Sequence, residues 1–168
     1  MYEVRGLLEN TCCFFGHRTI NESEELKKEL AEIIERLIVE YSVDTFLFGS
    51  KSRFNSLCLE LVSEIKKKHP HIKRVYVRAE FPFISDGYKE YLLESYEETY
   101  YPEIIIGSGR AVYVERNYEM INNSRFCVVY YDASGAPTTR KSGTKLALDY
   151  AVAKKREIIE LPRKKLKI

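Results

Sequence analysis

An α/β fold, with a mostly parallel sheet between two helical layers, is predicted by two features of this 168-residue chain. Short apolar runs read as strands buried on both faces, and stretches with helical hydrophobic spacing lie between them. Parallel neighbours need crossover connections, and helices placed between strands supply them.

Residues 11–15 form a largely apolar run closed by Gly16, which predicts a buried strand leading into a tight turn. Asn21, with Glu24 three residues on, resembles a capping box, after which Leu26, Leu30, Ile33, Ile34, Leu37 and Ile38 recur at helical spacing. Residues 44–48 repeat the strand pattern and again end in glycine, at Gly49; Phe54, Leu57, Cys58, Leu61, Val62 and Ile65 predict the second helix. His69 and Pro70 stop that helix, and the β-branched and aromatic residues of 72–77 predict a third strand. A helix is expected over 88–96, while the tyrosine-rich stretch through Tyr101 is assigned no element. Residues 104–106 suggest a short strand, 112–122 a helix, 126–131 a strong strand, 144–155 a helix and 158–161 a closing strand. The alternation is that of a single three-layer Rossmann-like domain spanning 1–168. Its basic tail, 163–168, reads as a solvated end.

Charge and cysteine content narrow the function classes. Lys+Arg 27 against Asp+Glu 25 leaves a net charge of +2, far from the basic balance expected of a duplex nucleic-acid binder. Cys12, Cys13, Cys58 and Cys127 lack the C-x-x-C spacing of a zinc or redox site and the density of a disulfide scaffold, so they are expected to be reduced, buried and not metal-binding. No apolar stretch approaches the roughly 18 residues that span a bilayer, and the first residues do not resemble a signal peptide. A cytoplasmic protein with no membrane partner is expected.

Three segments at strand ends share a composition. Gly16-His17-Arg18 follows the first strand, Gly49-Ser50-Lys51-Ser52-Arg53 the second, and Ser142-Gly143-Thr144-Lys145 opens the last helix. Glycine lets backbone N–H groups approach an anion, and a helix N-terminus adds partial positive charge. In an open parallel sheet the strand ends that precede helices lie on one edge, which is where ligands bind. Gly107-Ser108-Gly109 invites comparison with a dinucleotide fingerprint, but Val112 stands at the third glycine position, so a simple turn is expected there. Arg116 is either a surface charge or, if its helix face overlooks the strand ends, a planar fork for phosphate or carboxylate. His17 has no Ser, Cys or carboxylate visibly paired with it and is read as a hydrogen-bonded structural residue. No catalytic residue and no cofactor are assigned.

In order and spacing, these segments resemble the SLOG superfamily, and the run from Cys12 to Arg18 is most similar to its YpsA-like branch. The resemblance extends from about residue 11 to about residue 161. It implies a Rossmann-like domain that holds nucleotides, nucleotide sugars or related molecules, in some relatives as a sensor. Enzymatic relatives, the LOG-type phosphoribohydrolases, carry Arg-Lys-x-x-Met and then Pro-Gly-Gly-x-Gly-Thr-x-x-Glu. Arg116 and Met120 match the first segment, with Asn117 in place of the lysine, and Gly143 and Thr144 match the Gly-Thr pair. Arg140 and Lys141 occupy the two glycine places, and Ala147 stands where the glutamate would be. Cleaving an N-glycosidic bond needs a carboxylate, and alanine is none.

The expectation is therefore a module that binds a nucleotide-derived small molecule through Gly16, His17, Arg18, Gly49, Ser50, Arg53, Arg116, Asn117, Ser142, Gly143, Thr144 and Lys145. The alternative is a nucleotide N-glycosidase with a relocated carboxylate, for which Glu115 is the candidate. A third reading, single-stranded DNA binding, draws on the 13 tyrosines and the basic tail; core or interface packing is the commoner use of such rings. Residues 88–101 carry more aromatic surface than so small a domain readily buries, so a homo-oligomer is expected.

Overall fold

The structure, a computed structural model, describes residues 8–132 and 142–163. Its six strands are β1 (Thr11–Gly16), β2 (Thr45–Phe48), β3 (Lys73–Val77), β4 (Glu98–Tyr100), β5 (Phe126–Tyr130) and β6 (Glu157–Leu161). They alternate with α1 (Glu24–Tyr41), α2 (Arg53–Ile65), α3 (Asp86–Leu93), α4 (Ala111–Asn122) and α5 (Gly143–Ala153). All pairings are parallel and the strand order is β4-β3-β2-β1-β5-β6. This is the three-layer Rossmann-like arrangement expected.

Burial explains why the runs are apolar throughout. Along β1, Cys12 and Phe14 enter a core with Leu30 and Ile34 of α1 and Phe54 and Leu57 of α2, whereas Cys13 and Phe15 enter another with Met120 of α4 and Ala147 and Leu148 of α5. Successive strand side chains point to opposite faces, so a strand covered on both sides has no polar position to offer. The four cysteines are buried and free. Burial pushes the Cys12 and Cys58 thiols well up, and the contact with Cys13 together with burial does so for Cys127.

Three local expectations need correction. Helix α1 is capped by Ser23, whose Oγ accepts from the Leu26 N–H at 3.0 Å, and not by Asn21. Residues 104–106 are not a strand; β4 lies earlier, inside the tyrosine-rich stretch, where Thr99 pairs with Tyr76 of β3. Helix α3 spans Asp86–Leu93 rather than 88–96; Ser85 caps it and sets the earlier start. Gly107-Ser108-Gly109 is a turn, with Gly109 at φ +62°. No helix among the described residues is long and apolar enough to cross a membrane. Arg140, Lys141 and the basic tail beyond Arg163 lie outside the described residues.

Candidate functional site

The chain runs outward from β1 to β4, then returns to lay β5 on the other side of β1. The direction of winding reverses between β1 and β5, and in open sheets the crevice beyond the carboxyl ends at such a reversal is the binding position. His17 spans that crevice: its Nε2 accepts from the Asp132 N–H at 2.9 Å. Its ring packs 5.5 Å from Tyr131 and edge-on to Tyr130 at 6.1 Å. The imidazole thereby joins the loops after β1 and β5.

One strand over, Gly49 follows β2 and is buried beneath Arg116 of α4. Arg116 Nη1 donates to the Gly49 carbonyl and Nε to Asn117 Oδ1 at 3.1 Å. A Cβ on Gly49 would meet Arg116 Cδ at 2.6 Å and Met120 Sδ at 2.9 Å, so the glycine makes room for this packing. The Gly49 N–H is used within the protein, donating to Asn55 Oδ1 at 3.3 Å, while Asn55 Nδ2 donates to the Phe14 carbonyl at 2.9 Å. Asn55 thereby ties the ends of β1 and β2. A Cβ on Gly16 would clash with the Phe54 side chain, so that position too is kept small by packing.

Arg116 is only 5% exposed, yet no carboxylate pairs with it among the described residues. Burial lowers its pKa, and nearby Tyr76, Tyr113 and Glu80 oppose that effect. Removing a cation from water without a counter-ion is costly. Of the five guanidinium donors, the Nε–H and one on Nη1 are used, and Nη2 bonds to no described residue without being sealed from solvent. The open prong is a place for an anionic oxygen.

The remaining cations divide into two groups. Arg53 grips Glu22 through Nε and Nη2, each at 2.6 Å, and reaches Glu60 with Nη1 at 3.1 Å. Lys145 pairs with Asp149 at 3.0 Å and lies over the Tyr131 ring. Arg18 and Lys51 have no carboxylate partner among the described residues, nor does Arg78, which instead donates to the Phe81 carbonyl at 3.1 Å and Thr99 Oγ1 at 3.0 Å. Helices α2, α4 and α5 carry no acidic residue in their first turns, unlike α1 and α3. Their positive N-terminal ends are thus not neutralised from within. Ser142 caps α5, its Oγ accepting from Lys145 N–H at 3.1 Å; Gly143 is exposed with open space where a Cβ would go, and Thr144 is buried. Ser50 Oγ accepts from the Ser52 N–H at 3.0 Å and shapes the turn into α2.

The expected residues therefore fall into two adjoining clusters on one edge, His17 with Tyr131 and Lys145, and Gly49 with Arg116 and Asn117. Arg53 belongs to neither, because carboxylates occupy it. Asn55 and Arg78 were not foreseen; Asn55 shares a helix face with Cys58 and Val62, and a lone amide on an apolar stripe is the signal that could have found it. Among the described residues no cluster of His, Cys, Asp or Glu could hold a metal ion. No protein-family model matches the chain, and no curated protein matches it.

Proposed function

We propose that the protein binds a nucleotide-derived anion, such as a nucleotide, a nucleotide sugar or an ADP-ribose-like molecule, at the carboxyl edge of its sheet. The observation that carries this reading is Arg116, a buried guanidinium held against Gly49 with no carboxylate in ion-pair contact among the described residues and an Nη2 that bonds to none of them. Arg18 and Lys51, which pair with no carboxylate among the described residues, and the N-termini of α2, α4 and α5, which carry no acidic residue in their first turns, add positive charge along the same edge.

Binding without turnover is favoured by where the carboxylates sit. Glu115 Oε2 accepts from the N–H groups of Ile106 and Gly107, both at 3.1 Å, and so holds a loop instead of facing a site. Asp149 is paired with Lys145. Ala147, at the place of the LOG-type glutamate, is packed in the core. A sensor role in the cytoplasm, in a self-associating chain, completes the proposal. Phe83 and Ile106, 91% and 89% exposed on loops after β3 and β4, are the apolar side chains that association would cover.

Thermal-shift screening of nucleotides, ADP-ribose and cyclic derivatives tests the reading, alongside Gly143→Asp. Nothing crowds a Cβ at Gly143, so the substitution places a negative charge at the α5 N-terminus without steric cost. Stabilisation of the wild-type protein by at least one compound, lost in Gly143→Asp with the fold intact, is expected. No stabilisation by any compound would refute the proposal, and release of free base from a nucleoside monophosphate would replace it with hydrolysis.

A further inference from the structure

Between α2 and α3, immediately beside Gly49, lies a cleft of about 290 Å³ lined by Ser50, Lys51, Tyr76, Tyr88, Tyr91 and Tyr96, among others. Its volume is at the small end of ligand pockets. The tyrosines are arranged in two stacked pairs, Tyr76 with Tyr96 at 5.2 Å between ring centroids and Tyr88 with Tyr91 at 6.2 Å. None of the four phenol hydroxyls bonds to a described residue; those of Tyr76 and Tyr96 are not sealed from solvent, and Tyr88 and Tyr91 are exposed residues. Burial pushes the Tyr76 phenol up and that of Tyr96 to about 12, with Tyr88 adding to both, so these hydroxyls stay neutral and can donate as well as accept. Tyrosines used only for packing find partners for their hydroxyls when buried. Here stacked rings and open hydroxyls are gathered around one concavity.

The cleft begins one residue along the chain from the Gly49–Arg116 contact. Arg116 is bonded to the Gly49 carbonyl, the next residue Ser50 lines the cleft, and the Tyr76 phenol lies within the electrostatic reach of Arg116. Lys51, exposed and free of any carboxylate among the described residues, stands on the cleft wall. We propose that this cleft is the subsite for the nucleobase, or an equivalent planar heterocycle, of the ligand whose anionic group lies at Gly49 and Arg116. The proposal rests on the anion-binding reading above. Aromatic faces stack on any base, and the hydroxyls then meet its polar edge.

The chain has no tryptophan, so its intrinsic emission is that of its 13 tyrosines, four of which line the cleft. The test titrates AMP, GMP, CMP, UMP and ribose 5-phosphate into wild-type protein, Tyr88→Ala and Tyr91→Ala, following tyrosine fluorescence and heat. Tyr88 and Tyr91 are 37% and 65% exposed, so their truncation leaves the core untouched; circular dichroism confirms the fold. At least one nucleotide should bind about tenfold tighter than ribose 5-phosphate and quench emission, an advantage that each alanine variant abolishes while ribose 5-phosphate affinity is unchanged. Nucleotides that bind no better than ribose 5-phosphate, or a preference that survives either substitution, overturn the base subsite and leave the anion site standing. Failure of ribose 5-phosphate and every nucleotide to bind overturns both.

Discussion

Arg116 reaches back across 67 positions of sequence to donate to the carbonyl of Gly49, and the missing Gly49 side chain is what admits it. A helix after β4 is thereby locked to the carboxyl end of β2, and a cation is locked beneath the strand edge.

Gly49→Ala follows from that contact. Its Cβ would stand 2.6 Å from Arg116 Cδ and 2.9 Å from Met120 Sδ, an overpacking expected to cost about 1–3 kcal/mol. Urea denaturation should show the loss, and anion affinity should fall as well because Arg116 is displaced.

Arg18 and Arg53 separate free from neutralised charge. Both flank the first two strand ends, but Arg53 is engaged by Glu22 and Glu60, whereas Arg18 has no carboxylate among the described residues. Arg18→Ala should weaken nucleotide binding severalfold in calorimetry, and Arg53→Ala should leave it within roughly twofold, since a paired charge presents little net field.

Alkaline pH should destabilise the fold. Burial pushes the Cys12 and Cys58 thiols up, the contact with Cys13 together with burial raises Cys127, and the Tyr96 phenol is pushed to about 12. In the unfolded chain thiols ionise near ~8.5 and phenols near ~10. Above the unfolded values the native state holds protons that the unfolded state has released, so stability is full below about pH 8 and declines as pH rises, approaching ~1.4 kcal/mol per pH unit for each thiol. Urea midpoints measured from pH 7 to 10 check the sign. The same burial predicts that the native thiols resist alkylation until the chain unfolds.

Self-association should depend on Phe83 and Ile106. Light scattering coupled to gel filtration is expected to give a dimer or larger species that Phe83→Glu and Ile106→Glu dissociate. A monomer at all concentrations would remove this part of the proposal.

The fold was legible because burial on both faces leaves a plain signature: runs such as Phe14-Phe15 and Phe46-Leu47-Phe48 have no polar alternation to confuse them with surface strands. β4 was not, since it has three half-buried residues, two of them polar, at the sheet edge. Residues 104–106 misled in the opposite direction, apolar in sequence but exposed at Ile104 and Ile106. In the candidate site, the glycines were visible but their packing was not. Gly16 and Gly49 are small because Phe54 and Arg116, distant in sequence, lie against them, and no local pattern encodes that. The burial of Arg116 is likewise a tertiary fact, set by where α4 docks.

The central claim, that the buried Arg116 receives an anion, is tested most directly by calorimetric titration of ribose 5-phosphate, AMP and ADP-ribose into the wild-type protein and Arg116→Met. Replacing a buried cation by an apolar side chain of similar length removes a desolvated charge, so the variant should stay folded. The account predicts binding of at least one of these anions to the wild type, weaker at higher salt, and at least about tenfold weaker in the variant. Equal affinity in the two proteins, or no binding to the wild type, would contradict it.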